Sequence, residues 1–320
     1  MSDVVRLHQQ GGPEVLRLES ENVPEPGPGE VRLRQEAVGL NYVDTYFRDG
    51  TFPLRPLPAV IGVEAAGTVE AVGPGVTEFS PGQRAGYFFS PGAYRSVRLI
   101  AASQLVPVPD DVPSDVAASL LAKGLTAWAR VRRVFPVHSG TLAVVTGATG
   151  GVGSLLAPWA QHLGAKVVAL VARPEQVAAV TALGVEDVAV ANTGDLFRLV
   201  SQAVQPVDVV YDQVGQAVFD DVAGVLTSGS TLDLLGNASG EIDVSRLRTQ
   251  ASGVRITRSS TGEHLPSRAA LLGAAEELFD ALREGVFGKR EITRYALADV
   301  VRAHRDVESR SAGPAPVLIP

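Results

Sequence analysis

At 320 residues the chain is long enough for two domains, and with 45% apolar residues it can bury a substantial core. Its formal charge of −7 argues against broad binding to phosphate backbones, so nucleic acid is not expected as a main partner. The absence of cysteine excludes disulfides, thiol nucleophiles, iron–sulfur clusters and every cysteine-based zinc site.

The N-terminus, Met1-Ser2-Asp3-Val4-Val5-Arg6, lacks a cationic segment followed by a long apolar run, and no stretch matches a charge-free membrane helix. A cytoplasmic protein is therefore expected, with no membrane partner. From Val4 to about Pro109 the pattern is of short strands. Val31–Gln35 and Val69–Val72 alternate at a period of two, and Pro26-Gly27-Pro28-Gly29, Gly73-Pro74-Gly75 and Pro81-Gly82 mark turns. The prediction is a compact, mostly antiparallel β region with one helix near Asn41–Phe47.

After Pro113 the texture changes. Ser114 caps a helix beginning at Asp115, and a second helix is expected around Thr126–Phe135. Apolar strands then alternate with helices: strand Thr141–Thr146 and helix Val152–Leu163, strand Lys166–Val171 and helix Pro174–Leu183, strand Val207–Tyr211 and helix Ala217–Leu226. Strands Thr231–Leu235 and Gly253–Thr257 complete the series. This spacing argues for a doubly wound parallel sheet with helices on both faces. The tail reads as helical over Arg268–Glu284 and then irregular, and the apolar run Val317-Leu318-Ile319 is expected to pair with a strand of the first region. The dinucleotide-type domain is thus inserted in the other: 1–118 and 260–320 form one domain, 119–259 the second.

The strongest local signal is Val144-Val145-Thr146-Gly147-Ala148-Thr149-Gly150-Gly151-Val152-Gly153, between a predicted strand and a predicted helix. Glycines there allow a tight turn and a close backbone approach to a pyrophosphate, whose charge the helix N-terminal amides stabilise. The spacing is G-x-x-G-G-x-G. Such turns also occur without ligands, but within a run of strand–helix units the dinucleotide reading is preferred, with Gly147, Ala148, Gly150, Gly151 and Val152 against the phosphates. Pro158 is expected to kink the helix that follows. The next strand ends in Ala172-Arg173, where a site for NADH usually carries a carboxylate. Arg173 suits the 2′-phosphate of NADPH through charge-assisted hydrogen bonds. The plain alternative is a solvated arginine partly neutralised by Glu175.

Taken with Gly11-Gly12-Pro13-Glu14-Val15-Leu16, Gly39-Leu40-Asn41-Tyr42-Val43-Asp44-Thr45-Tyr46, Gly62-Val63-Glu64-Ala65-Ala66-Gly67, Lys123-Gly124-Leu125-Thr126-Ala127, Val210-Tyr211-Asp212-Gln213-Val214-Gly215 and Leu235-Gly236-Asn237-Ala238-Ser239-Gly240, these features run the length of the chain. The sequence resembles the quinone oxidoreductases of zeta-crystallin type, in the zinc-free branch of the medium-chain dehydrogenase/reductase superfamily. The resemblance implies an α/β chain with a Rossmann-type parallel-sheet domain inserted in a GroES-like, mostly antiparallel β catalytic domain. It further implies an active cleft between the two and a homodimer built on edge strands of the cofactor domains, here Val254–Thr257. Zinc-dependent relatives carry a histidine where Val63 stands and use cysteines this chain lacks, so no metal is expected.

Without a metal, charge developing on a substrate oxygen needs hydrogen-bond donors. The resemblance assigns Asn41 and Tyr46 to that role, and Asn41, Thr126, Val214, Gly236 and Asn237 to the nicotinamide side of NADPH. Lys123 falls to the phosphates or to a salt bridge, and Arg310 to the 2′-phosphate. Three positions depart from the pattern: Gln176 stands for a usual lysine, Ala191 for a tyrosine over the adenosine phosphate, and Phe52 for a further tyrosine of the cleft. Asp44 and Asp212 read as structural carboxylates. The five histidines, His8, His138, His162, His264 and His304, lack metal spacing, and none reads as catalytic.

The leading expectation is NADPH-dependent reduction of a quinone, by hydride delivery or with single-electron products. The second is reduction of the double bond of an enal, enone or enoyl thioester. A third, from another class, is a cofactor-binding protein with little catalysis.

Overall fold

The computed structural model describes residues 1–54, 56–203, 205–250 and 253–320, with the side chains of 248–250 outside that description. The chain opens with the antiparallel pair β1 (Ser2–Leu7) and β2 (Leu16–Glu21). There follow β3 (Glu30–Gly39), α1 (Tyr42–Asp49), β4 (Glu64–Val72), β5 (Arg84–Tyr87), β6 (Val97–Ala101) and β7 (Val106–Pro107). Helix α2 (Ser114–Ala129) continues directly into a π-helical turn, Arg130–Val134. The two helices expected there are one run, because this alanine- and leucine-rich stretch has no proline and a single interior glycine, Gly124, costs only about 1 kcal/mol.

Next come β8 (Leu142–Thr146), α3 (Gly153–His162), β9 (Lys166–Val171), α4 (Val177–Thr181), β10 (Asp187–Val190), α5 (Asp195–Ser201), β11 (Val209–Asp212), α6 (Phe219–Val225), β12 (Thr231–Leu234), α7 (Val244–Gln250) and β13 (Arg255–Thr257). The last elements are α8 (Arg268–Arg283), β14 (Thr293–Ala296), α9 (Val300–Glu308) and β15 (Pro316–Ile319). The segment read as irregular after α8 therefore holds a strand and a helix. In α9 the inward stripe Val300, Ala303, His304 and Val307 includes a histidine, which blurs the apolar period of the helix in the sequence. Strand β10 and helix α5 were likewise not expected: β10 is short, begins with Asp187 and lies at a sheet edge.

The described chain divides into two compact units, Met1–Lys123 with Ser267–Ala275 and Arg290–Pro320, and Gly124–Pro266 with Glu276–Lys289. In the first, the strand order is β14-β15-β3-β4-β5-β7, with β6 also on β3. Apart from the parallel pair β14–β15, all these pairings are antiparallel. The terminal run pairs as expected with the first region, Val317 opposite Gly39 and Leu318 opposite Val38. The core of this unit includes Leu7, Leu33, Leu40, Ile61, Tyr87, Tyr94 and Leu318.

In the second unit, six strands run parallel in the order β10-β9-β8-β11-β12-β13. All residues of β8, β11 and β12 are buried, as befits strands covered on both faces. The order reverses between β8 and β11, and the crevice outside the carboxyl ends of strands at such a reversal is where α/β sheets bind ligands.

Candidate active site

In the first unit the polar centre is Glu64, at the start of β4 and fully buried. Its Oε1 accepts hydrogen bonds from Asn41 Nδ2 at 2.7 Å and Lys123 Nζ at 3.2 Å, and its Oε2 from the Ala122 amide at 2.6 Å. Glu64 lies opposite Gly39 in the β3–β4 register. A Cβ on Gly39 would sit 2.4 Å from Glu64 Cγ and 2.2 Å from the Ala118 carbonyl oxygen, so only glycine lets the carboxylate cross the neighbouring strand. Of the two sequence options for Lys123, the structure has the salt bridge: the side chain is buried, with Nζ also 3.4 Å from the Leu40 carbonyl oxygen.

Asn41 is the N-cap of α1. Its main-chain N–H donates to Asp44 Oδ2 at 2.9 Å. Because Nδ2 carries two hydrogens, the bond to Glu64 uses one and fixes the direction of the other. Tyr46 sits further along α1 in an aromatic group, its ring centroid 5.4 Å from that of Tyr42 and 5.2 Å from that of Phe52. Burial, helped by Tyr42 and Asp49, raises its pKa, so the phenol keeps its proton and remains a donor at neutral pH. Arg310 also belongs to this unit. It follows α9, exposed, with φ of +61°.

In the second unit, the glycine turn joins β8 to α3 at the reversal of strand order. Gly147 has φ of +62°, and the Gly150 amide donates to its carbonyl oxygen at 2.8 Å. A Cβ on Gly153 would lie 2.3 Å from that same oxygen, so the turn closes only with glycine there. Ala148 is buried, Gly151 and Val152 are half-buried, and Val152 is the N-cap of α3. The first amides of a helix have no intrahelical acceptor and suit a phosphate. This backbone cradle fits a dinucleotide pyrophosphate. Helix α3 runs on through Pro158.

The turns after β11 and β12 border the same place. Val214 Cγ2 would stand 3.2 Å from a Cβ on Gly147, and the Gly236 amide donates to the Asp212 carbonyl oxygen at 3.1 Å. Asp212 acts as a structural carboxylate, accepting from Thr146 Oγ1 at 2.7 Å and from the Val214 and Gly215 amides at 3.2 and 3.0 Å. Burial still raises its pKa. Asn237 is exposed, and its carbonyl oxygen accepts from the Gly240 amide at 2.9 Å. Thr126, on α2, is 2.9 Å from Thr261 through the two hydroxyls.

Arg173 is exposed at the end of β9, and none of the ion pairs among the described residues joins it to Glu175. Gln176, where a lysine was expected, has a structural task. Its Oε1 accepts from the Ala172 and Arg173 amides at 3.0 and 3.1 Å, and its Nε2 donates to Thr149 Oγ1 at 3.0 Å, linking the end of β9 to the glycine turn.

Asn41 and Lys123 are thus brought together by Glu64, while Gly147, Val214 and Gly236 adjoin at the strand reversal. Glu64, which stands beside Val63, is the functional residue that the sequence pattern did not single out. Its signal was available: a carboxylate heading the small and apolar run Glu64-Ala65-Ala66-Gly67 is buried only with partners.

Two family models match the chain, an alcohol dehydrogenase GroES-like domain over residues 27–110 and a zinc-binding dehydrogenase over residues 151–277. Despite the second description, no three His, Cys, Asp or Glu side chains among the described residues are grouped to hold a metal ion. A quinone oxidoreductase of Pseudomonas aeruginosa is 33% identical, covering 100% of both chains. A 2-haloacrylate reductase of a Burkholderia species is 35% identical, covering 98% of both. The crystal structure of Escherichia coli quinone oxidoreductase complexed with NADPH superposes with a TM-score of 0.92 at 31% identity, covering 100% of both chains.

Proposed function

The chain belongs to the quinone oxidoreductases of the medium-chain dehydrogenase/reductase superfamily, and on that premise we propose that it uses NADPH to reduce a quinone without a metal ion. The observation that carries this reading is the glycine turn at the strand reversal of a six-stranded parallel sheet, in a chain similar over its whole length to a quinone oxidoreductase complexed with NADPH. When bound, NADPH supplies the hydride. The residues 119–259 are the dinucleotide domain in this reading, and 1–118 with 260–320 the catalytic domain.

The amides of Gly151 and Val152 would hold the pyrophosphate, with Gly147, Ala148 and Gly150 shaping the turn against it. Arg173 and Arg310 take the 2′-phosphate, and Thr126, Val214, Gly236 and Asn237 line the nicotinamide. Lys123 serves the cofactor side through Glu64, which it neutralises. Asn41 presents its second amide hydrogen to the substrate oxygen that gains negative charge, and Tyr46 offers its phenolic hydrogen to the same charge. Hydride and one proton together convert a quinone to a hydroquinone. The proton comes from solvent or Tyr46.

The 2-haloacrylate reductase relative supports a second reading, reduction of an activated carbon–carbon double bond, in which the same donors stabilise an enolate. We further propose a cytoplasmic homodimer paired through β13, an edge strand of its sheet. The experiment is NADPH oxidation with a planar ortho-quinone in excess chelator, with an enal, 2-chloroacrylate and NADH in parallel. Rapid turnover of the quinone with NADPH supports the first reading. Turnover of the enal or haloacrylate alone moves the function to double-bond reduction, and NADPH binding without turnover leaves a non-catalytic binder.

A further inference from the structure

A buried hydrogen-bond chain leads from Asn41 through the first unit, and the proposed chemistry does not use it. Asp44 Oδ2, which accepts the Asn41 main-chain N–H, also accepts from Tyr94 Oη at 3.1 Å. Tyr94 Oη lies 2.9 Å from His304 Nε2, with the two rings edge to face at 5.7 Å. His304 Nδ1 is 3.1 Å from Arg48 Nη1, and Arg48 is held in turn by the Gly11 carbonyl oxygen at 2.9 Å and by Glu308. Asp44, Tyr94, Arg48 and His304 are each 2% exposed or less.

The direction of the hydrogens from Arg48 through His304 to Tyr94 is determined. A guanidinium only donates, so His304 Nδ1 must accept, which puts the ring hydrogen on Nε2 and directs it to the Tyr94 oxygen. Tyr94 then gives its own hydrogen to Asp44. At the other end the Asn41 amide also donates inward. With a guanidinium at one end and a peptide N–H at the other, no proton passes through, so the chain holds atoms in place rather than relaying charge.

Stability alone does not account for it. Replacing a buried ionic set by apolar side chains of similar volume is often neutral or stabilising, whereas a fully directed set specifies one orientation. Here the oriented element is the first turn of α1. Its cap residue is gripped twice, on the main chain by Asp44 and on the side chain by Glu64.

We infer that Tyr94, His304 and Arg48 are positioning residues for Asn41: through Asp44 they set the rotation of the first turn of α1, and with it the direction of the Asn41 amide hydrogen that meets the substrate oxygen. This rests on the reading of Asn41 as a substrate donor. The test is Tyr94→Phe, which keeps the ring and removes the hydroxyl, made in the native chain and in Asn41→Ala, with kcat, KM for quinone, NADPH affinity and thermal midpoint measured for each. The expected result is a loss in kcat of about tenfold for Tyr94→Phe, with NADPH affinity unchanged and no further loss in the Asn41→Ala background. His304→Gln keeps an acceptor for Arg48 and a donor for Tyr94 and should retain most of kcat, while His304→Leu should match Tyr94→Phe. Equal losses from Tyr94→Phe in both backgrounds would overturn the inference and leave the Asn41 reading standing. So would a His304→Leu variant that loses thermal stability alone. Full kcat in Asn41→Ala would instead sink the reading of Asn41, and this inference with it.

Discussion

Lowering the pH separates His304 from the rest of the buried chain. Its pKa is pushed from the ordinary 6.5 down to about 3 by burial, and further by the neighbouring Arg48 guanidinium. In the unfolded chain the ring protonates near its ordinary value, so on acidification the unfolded state takes up a proton that the folded state refuses. The stability contributed by a neutral His304 is complete above the unfolded value and is lost as pH falls toward the folded one. The slope is about 1.4 kcal/mol per pH unit, or about 2 kcal/mol between pH 6.5 and 5. Asp44 acts in the opposite sense. Burial pushes its carboxyl up to about 7, against the hydrogen bonds from Asn41 and Tyr94, so its contribution is complete at low pH and is lost as pH rises toward 7. Between about pH 4 and 6.5 the two slopes oppose each other, and the native chain should show little pH dependence from this pair. His304→Gln deletes one slope and keeps the other. Urea denaturation of both proteins at about pH 7, 6 and 5 should therefore show the stability advantage of the native chain over the variant shrinking by about 2 kcal/mol from the highest to the lowest pH. A difference that stays constant across the series would refute a buried neutral His304 and the direction assigned to its hydrogen bonds.

Three further outcomes follow from the same geometry. Glu64→Ala removes the buried carboxylate that accepts from Asn41, Ala122 and Lys123, leaving the Lys123 charge uncompensated in the core, and should cost about 3–5 kcal/mol, part of which Lys123→Met restores in the double variant; thermal and urea unfolding measure both. Gly153→Ala drives a Cβ against the Gly147 carbonyl and should weaken NADPH binding by about tenfold or more in a fluorescence titration; unchanged affinity would show that the turn does not cradle the pyrophosphate. Arg173→Ala should raise KM for NADPH about tenfold and leave that for NADH unaltered, since only the 2′-phosphate loses a charge-assisted bond; equal effects on both cofactors would remove Arg173 from specificity.

What could be read from the residues was whatever depends on near neighbours in the chain. The period-two alternation around Val31 and Val69, the strand–helix spacing from Thr141 to Thr257 and the glycine turn at Gly147–Gly153 fix local conformation, because backbone sterics and the burial of one face act over a few residues. The lack of cysteine likewise argued against cysteine-based zinc sites, while Val63 had meaning only through the resemblance, as a position where zinc-dependent relatives carry a histidine. Local signals failed where burial was mixed with polarity, as in α9, whose inward stripe contains His304, and at the short edge strand β10. What only the tertiary structure decided were the partnerships of buried charges. Pairing β4 with β3 brings Glu64 across Gly39 to Asn41, and packing α9 against α1 brings His304 to Arg48 and Tyr94, more than 200 positions away. A buried carboxylate or imidazole must find a partner, and its own sequence neighbourhood states that need. Which partner answers it depends on strand register and helix packing, which join residues that no sequence periodicity relates.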